Sequence, residues 1–237
     1  MRHMLLTLLK ISFVGVQFAT AQIEKIEVSE AGDLVLPKTT DIHPAMQKIL
    51  TSVSECEISE TICELYERFA RDSYLGQIYS TTFAQAESDV ESIGGLDREA
   101  FAELRDRVTS ENEAWLKEIL TEVHWFDIRH FGKRADTAAF LILQHSQDAD
   151  FQKRILDRLE PLAEIGGTQS RNVAYLMDRV LIRNGELQKF GTQGTCNSQK
   201  EWRAFDVLEP DGLAVRRDAF GLEPLAEYEA GATIYCR

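Results

Sequence analysis

Asp136-Thr137-Ala138-Ala139-Phe140-Leu141-Ile142-Leu143-Gln144-His145 reads as a helix without a polar face. Positions Ala138 to Leu143 are apolar in an unbroken run, so at about 100° per residue every side of the cylinder is apolar, which marks burial among other helices. Asp136 is expected to cap its start. A second stretch behaves in the same way: Val173, Ala174, Tyr175, Leu176, Met177, Val180, Leu181 and Ile182 surround a helix that should end near Asn184-Gly185. Two helices buried on all sides require further helices around them. The fold class is therefore mainly α, a helical bundle with a small β-hairpin near the C-terminus.

Working outward, Asp148 opens a helix carrying Phe151, Ile155 and Leu159, closed by Pro161 and Gly166-Gly167. Upstream, apolar residues at helical spacing predict a long amphipathic helix from Ile58 to about Ala86, with Gly76 as a possible kink. Asp97 is expected to cap the next helix and Ser110 to start another. Downstream, Leu187 to Gln193 and Glu201 to Leu208 are expected to be the hairpin strands. Asp211 to Phe220 should form a last short helix stopped by Gly221.

The N-terminus begins with Arg2 and His3, continues through a short apolar core to Phe18 and reaches Ala19-Thr20-Ala21 before Gln22. That order predicts a cleavable signal peptide over 1–21, cut after Ala21, and a secreted or periplasmic location. Lys10 interrupts the apolar run, which falls short of the roughly 20 residues of a membrane span. Residues 22–45 read as an extended, partly disordered leader, and 46–237 as a single helical domain. The net charge is −13, and losing Arg2 and Lys10 with the leader takes it to −15. Such a field repels phosphate backbones and anionic lipid, so neither nucleic acid nor, after signal cleavage, a membrane is an expected partner.

Four cysteines, Cys56, Cys63, Cys196 and Cys236, suit an oxidising compartment. Four allow three pairings. Cys56 and Cys63 would lie about 10.5 Å apart in an unbroken helix, too far to bridge, so a local bond needs a turn between them; Ser59 offers a new helix start there. Cys56 with Cys63 and Cys196 with Cys236 is the preferred arrangement.

Several ordered motifs carry a resemblance. Leu143-Gln144-His145 is followed by Ala174-Tyr175-Leu176-Met177-Asp178-Arg179, then Gln188-Lys189-Phe190-Gly191-Thr192-Gln193, then Arg217 four residues before Gly221-Leu222. Over roughly Glu111 to Tyr228, with a weaker match near Arg71-Asp72, the chain resembles an uncharacterised bacterial family, domain of unknown function 6624. Where that family carries Gly-Trp-Pro and Tyr-Gly-Thr-Gln, this chain has His124-Trp125-Phe126 and Phe190-Gly191-Thr192-Gln193. The resemblance implies positions for a site without naming a reaction.

Asp178 is the most demanding of these positions, because an ionised carboxylate among apolar neighbours costs several kcal/mol unless it is paired. His145, at a helix C-terminus that favours imidazolium, and Arg217, able to clamp a carboxylate, are the candidate partners. A purely structural ion pair is the plainer alternative. In the functional reading His145 acts as acid or base oriented by Asp178, while Gln144, Arg179, Gln188, Gly191, Thr192, Gln193 and Arg217 contact a polar or anionic ligand. The ligand would be an unknown small molecule or envelope component. No cofactor or metal is expected: the chain lacks a Gly-x-Ser-x-Gly elbow, a phosphate loop and a His-Glu-x-x-His motif, and His124 and His130 lack further grouped ligands. Two functions follow, a non-catalytic binding or structural protein and a hydrolase or transferase using His145 and Asp178.

Overall fold

The first described element is a pair of two-residue strands, β1 (Glu27–Val28) and β2 (Leu34–Val35), within the stretch expected to be an extended leader. The computed structural model describes residues 26–30, 33–37, 44–54, 56–85, 92–93 and 95–236. The signal-peptide reading of 1–21 lies outside these residues, as does part of the leader. Eight α-helices follow among the described residues, so the protein is mainly α. No helix among them is long and apolar enough to cross a membrane. The chain divides into two compact units, Met1–Asn112 and Glu113–Arg237.

In the first unit, α1 (Pro44–Ser54) packs on α2 (Glu60–Gln85), burying Met46 and Ile49 from one helix and Ile62, Leu65 and Phe69 from the other. The α2 helix passes through Gly76 uninterrupted. Ser59 accepts from the Ile62 N–H at its start, and the turn before it brings Cys56 to within 5.5 Å, Cα to Cα, of Cys63, to which it is disulfide-bonded. The strands β3 (Ser92–Ile93) and β4 (Leu96–Asp97) lead into α3 (Arg98–Glu122), which begins in the first unit and ends in the second, and Asp97 accepts from the Ala100 N–H as the expected cap. Ser110 starts no helix. It lies inside α3, because Phe101, Leu104, Val108, Leu116 and Leu120 keep one buried stripe through it.

The second unit contains the two helices built on the apolar runs, α4 (Ile128–His145) and α6 (Ser170–Arg183), with α5 (Ala149–Glu164) between them in sequence and packed on α6. Ala138 through Leu143 are all buried, as their sequence demands, and each large side chain among them contributes about 1.5–3 kcal/mol by leaving water. Asp127, not Asp136, caps α4, accepting from the Arg129 N–H, and Gly132 at φ 80° breaks the helix after its first turn. Asp136 instead lies within the helix, fully buried. Its carboxylate accepts from the Trp125 indole at 2.8 Å, the Thr168 hydroxyl and the Asn172 amide at 3.1 Å, which satisfies a group that would otherwise be costly to bury. Asp148 caps α5 as expected, and α5 continues past Pro161 to Glu164.

The C-terminal layer departs from expectation in register. The hairpin strands are β5 (Gly194–Cys196) and β6 (Trp202–Ala204), antiparallel, and residues 187–193 form a loop joined to the returning chain by the bridge between Gln188 and Val207 and by hydrogen bonds of Gln188 and Gln193 with Phe205 and Leu208, without a strand ladder. The reason is that the loop's N–H groups are already engaged by α6, as the site below shows. After a 3-10 turn, α7 (Leu213–Ala219) and α8 (Leu225–Ala232) complete the unit, the second without a counterpart in the sequence reading. Cys196 is disulfide-bonded to Cys236, fastening the hairpin to the segment after α8.

Candidate functional site

Asp178 sits on α6, fully buried, and its partner is neither His145 nor Arg217 but the backbone of the 188–193 loop. Its carboxylate accepts from the N–H groups of Lys189 (2.7 Å), Phe190 (3.0 Å) and Thr192 (2.9 Å), and from the Thr192 hydroxyl at 2.8 Å. Burial pushes the Asp178 carboxyl above its ordinary value, against the pull of these donors. Gly191 makes the bend possible: at φ 70° it occupies the left-handed region that a side chain disfavours.

Gln188 closes the loop. Its amide donates to the Gln193 carbonyl at 2.9 Å and the Phe205 carbonyl at 2.7 Å, while its side-chain oxygen accepts from the Gln193 N–H at 2.9 Å. Gln193 is half-buried and donates to the Thr192 hydroxyl. Arg217, 1% exposed, comes from α7 and donates to the Phe190 carbonyl and, at 2.7 Å, to the Glu223 carbonyl. Among the described residues it makes no ion pair with Asp178.

His145 and Gln144 stand at a different corner. The C-terminal carbonyls of α4 are met there by Gln152, whose amide donates to Leu143, Gln144 and Ser146, and Arg183 in turn donates to the Gln152 side chain at 2.7 Å. Glu113 and Lys117 add charge to the same corner, with Glu113 accepting from the Ser146 hydroxyl and the Gln147 N–H. This is a capped helix junction. Among the described residues no group of three His, Cys, Asp or Glu side chains is placed to hold a metal ion.

A second polar cluster lies along α6. Arg171, Tyr175 and Arg179 recur every four residues and share one face of the helix. The Tyr175 ring meets the Tyr228 ring of α8 edge-on at 6.1 Å, and the Arg217 guanidinium lies 5.2 Å from the centre of the Tyr228 ring, a cation–π contact. Tyr228 donates to the Thr192 carbonyl at 3.1 Å, joining this cluster to the loop. Arg171 reaches Glu223 at 3.4 Å.

Arg179 has neither a hydrogen bond nor an acidic partner among the described residues, and its Nε is buried. Burial, reinforced by Arg183, brings its guanidinium down to about 10, so it stays charged at neutral pH. Arg171 Nε and Arg217 Nη2 are likewise buried without an acceptor. Burial raises Tyr228 to about 12, leaving its phenol protonated and able to donate. Beside Arg217 a half-open cavity of about 280 Å³ is walled by Leu213, Leu222, Pro224 and Leu225.

The sequence reading included Arg179 and Arg217 but missed Arg171, Tyr175, Glu223 and Tyr228 as members of one cluster. The four-residue spacing of Arg171, Tyr175 and Arg179 was the available signal. A mainly α chain whose C-terminal layer is organised by Asp178, Gln188 and Arg217 is thus the setting of the ordered motifs read from the sequence. A family of unknown function (DUF6624) matches residues 95–231, and the chain belongs to that family. No curated protein and no solved structure matches the chain.

Proposed function

We propose that the protein works outside the cytoplasm, secreted or periplasmic, and binds a small polar ligand through the arginine and tyrosine face of α6. The location rests on the signal-peptide pattern of residues 1–21 and is supported by the bonding of all four cysteines in two disulfides, a state favoured in oxidising compartments. Binding rests on one observation: Arg179 is a charged, largely enclosed side chain without a partner. An unpaired cation in such a place costs several kcal/mol, and a ligand that supplies the missing acceptor recovers that cost on binding.

The alternative, a hydrolase or transferase with His145 as acid or base oriented by Asp178, has weaker support. Every oxygen of Asp178 is engaged by loop donors, which suits a role in shaping the loop.

Two measurements test the reading. Mass analysis of the chain exported from a bacterial host should find Gln22 as the first residue, and an unprocessed cytoplasmic chain overturns the location. A thermal-shift panel of sugars, amino acids, dicarboxylates and inorganic phosphate should contain at least one compound that stabilises the parent protein and not Arg179→Met. A panel without any such compound overturns binding at this face.

A further inference from the structure

Resting on that reading, we propose that the α6 face takes a dianionic oxyanion, a phosphate group either free or as a phosphomonoester, held by Arg171, Arg179 and Arg217 around the Tyr175–Tyr228 pair. The geometry supplies donors from three directions. Arg171 and Arg179 lie eight residues apart on one helix, about 12 Å along its axis, with Tyr175 between them. Arg217 approaches from α7 over the Tyr228 ring, and Tyr228 touches Tyr175. Each guanidinium keeps one buried N–H without an acceptor: Arg171 Nε, Arg179 Nε and Arg217 Nη2.

The charge balance selects the class of ligand. Three guanidiniums, those of Arg171, Arg179 and Arg217, belong to this face, and a fourth, the exposed Arg183, flanks Arg179 while donating to the Gln152 side chain and the Ser146 carbonyl. Two carboxylates act on it: Glu223, against Arg171, and Asp178, whose oxygens are held by the loop. The local excess is one positive charge on the face itself and a second from the flanking Arg183, within a chain whose net charge is −13. A carboxylate would bring one charge and two oxygens and leave one guanidinium unbalanced. A phosphate brings nearly two charges and at least three acceptor oxygens, the pattern that arginine forks match. A nucleic acid backbone is a poor candidate, because the acidic surface repels it and the donors are enclosed.

The test is calorimetric titration of the disulfide-bonded protein with inorganic phosphate, against acetate and glycerol at constant ionic strength, with Arg179→Met and Arg171→Gln alongside. Arg217 is unsuitable as the probe because it also holds the loop. Phosphate is expected to bind at least tenfold more tightly than acetate, and either variant to weaken it at least tenfold with an unchanged circular dichroism spectrum. Phosphate binding no tighter than acetate, or unaffected by either variant, overturns the proposal. If a sugar or amino acid still stabilises the parent through Arg179, the binding reading survives and only the oxyanion falls; if no compound does, both fall together.

Discussion

Asp178 and Arg217 hold the same residue from opposite sides: the Phe190 N–H donates to the Asp178 carboxylate and the Phe190 carbonyl accepts from the Arg217 guanidinium. Neither ion neutralises the other directly. The N–H and the carbonyl of one residue, in consecutive peptide groups, link two charges buried on α6 and α7.

That arrangement makes Asp178 a folding residue. Asp178→Ala leaves three N–H groups and one hydroxyl without their acceptor, and the expected loss is about 3–5 kcal/mol in urea unfolding. A loss below about 0.5 kcal/mol, the scale of a neutral surface change, would contradict the clamp.

Arg179 and Arg217 should respond in opposite directions to the same substitution. Arg179→Met removes an unpartnered cation and is expected to raise the melting temperature of the ligand-free protein. Arg217→Met strips the acceptors Phe190 and Glu223 of their donor and is expected to lower it. Equal shifts of the same sign would argue against the distinction drawn between them.

The disulfides should contribute unequally. Loop closure predicts about 4 kcal/mol for Cys196–Cys236 and about 2.5 kcal/mol for Cys56–Cys63, whose sequence separations are 40 and 7. Comparing Cys196→Ser/Cys236→Ser with Cys56→Ser/Cys63→Ser by calorimetry checks the order. Reductant is expected to lower the melting temperature of the parent.

Acid should reach the protein partly through Asp127. The Arg129 side chain, bonded to it, holds its carboxyl down at about 2, below the ordinary 3.8. A depressed folded value adds stability that is present above pH 3.8 and disappears as pH falls toward 2. Asp127→Asn should therefore unfold with a shallower pH dependence than the parent between pH 4 and 2, and parallel curves would refute the assignment.

Glycine 194 offers a test of close approach. A Cβ there would stand 2.1 Å from the Arg203 carbonyl oxygen and 2.5 Å from the Trp202 ring, so Gly194→Ala is expected to disrupt the β5–β6 pair, seen as lost hydrogen-exchange protection at Phe205, whose N–H donates to Gln193.

The two buried helices, the caps of α3 at Asp97 and of α5 at Asp148, the turn at Ser59 and the Cys56–Cys63 bond were legible in the sequence, because each follows from local periodicity or from short-range geometry, and Cys196–Cys236 was then the remaining pair. Asp136 was misread for a tertiary reason. Its acceptors are needed by Trp125, Thr168 and Asn172, which only packing brings near, so a residue type typical of caps serves inside a helix. The strand expected at 187–193 failed similarly: its aromatic and β-branched residues suit a strand, but the N–H groups of Lys189, Phe190 and Thr192 donate to Asp178 instead. At the candidate site, Arg179 and Arg217 were readable as motif positions, whereas Glu223 and Tyr228 come from a stretch whose nearness to α6 no local pattern reports.

Gln188 carries a further implication. Its side chain reads two carbonyls and one N–H at once, so it behaves as an extra peptide unit spliced across the loop. Glutamate has nearly its shape but offers oxygen where both carbonyls require hydrogen, turning two attractions into repulsions. The loop's conformation is therefore encoded by the identity of one terminal atom rather than by volume, and a substitution that looks isosteric would be among the least tolerated in the protein.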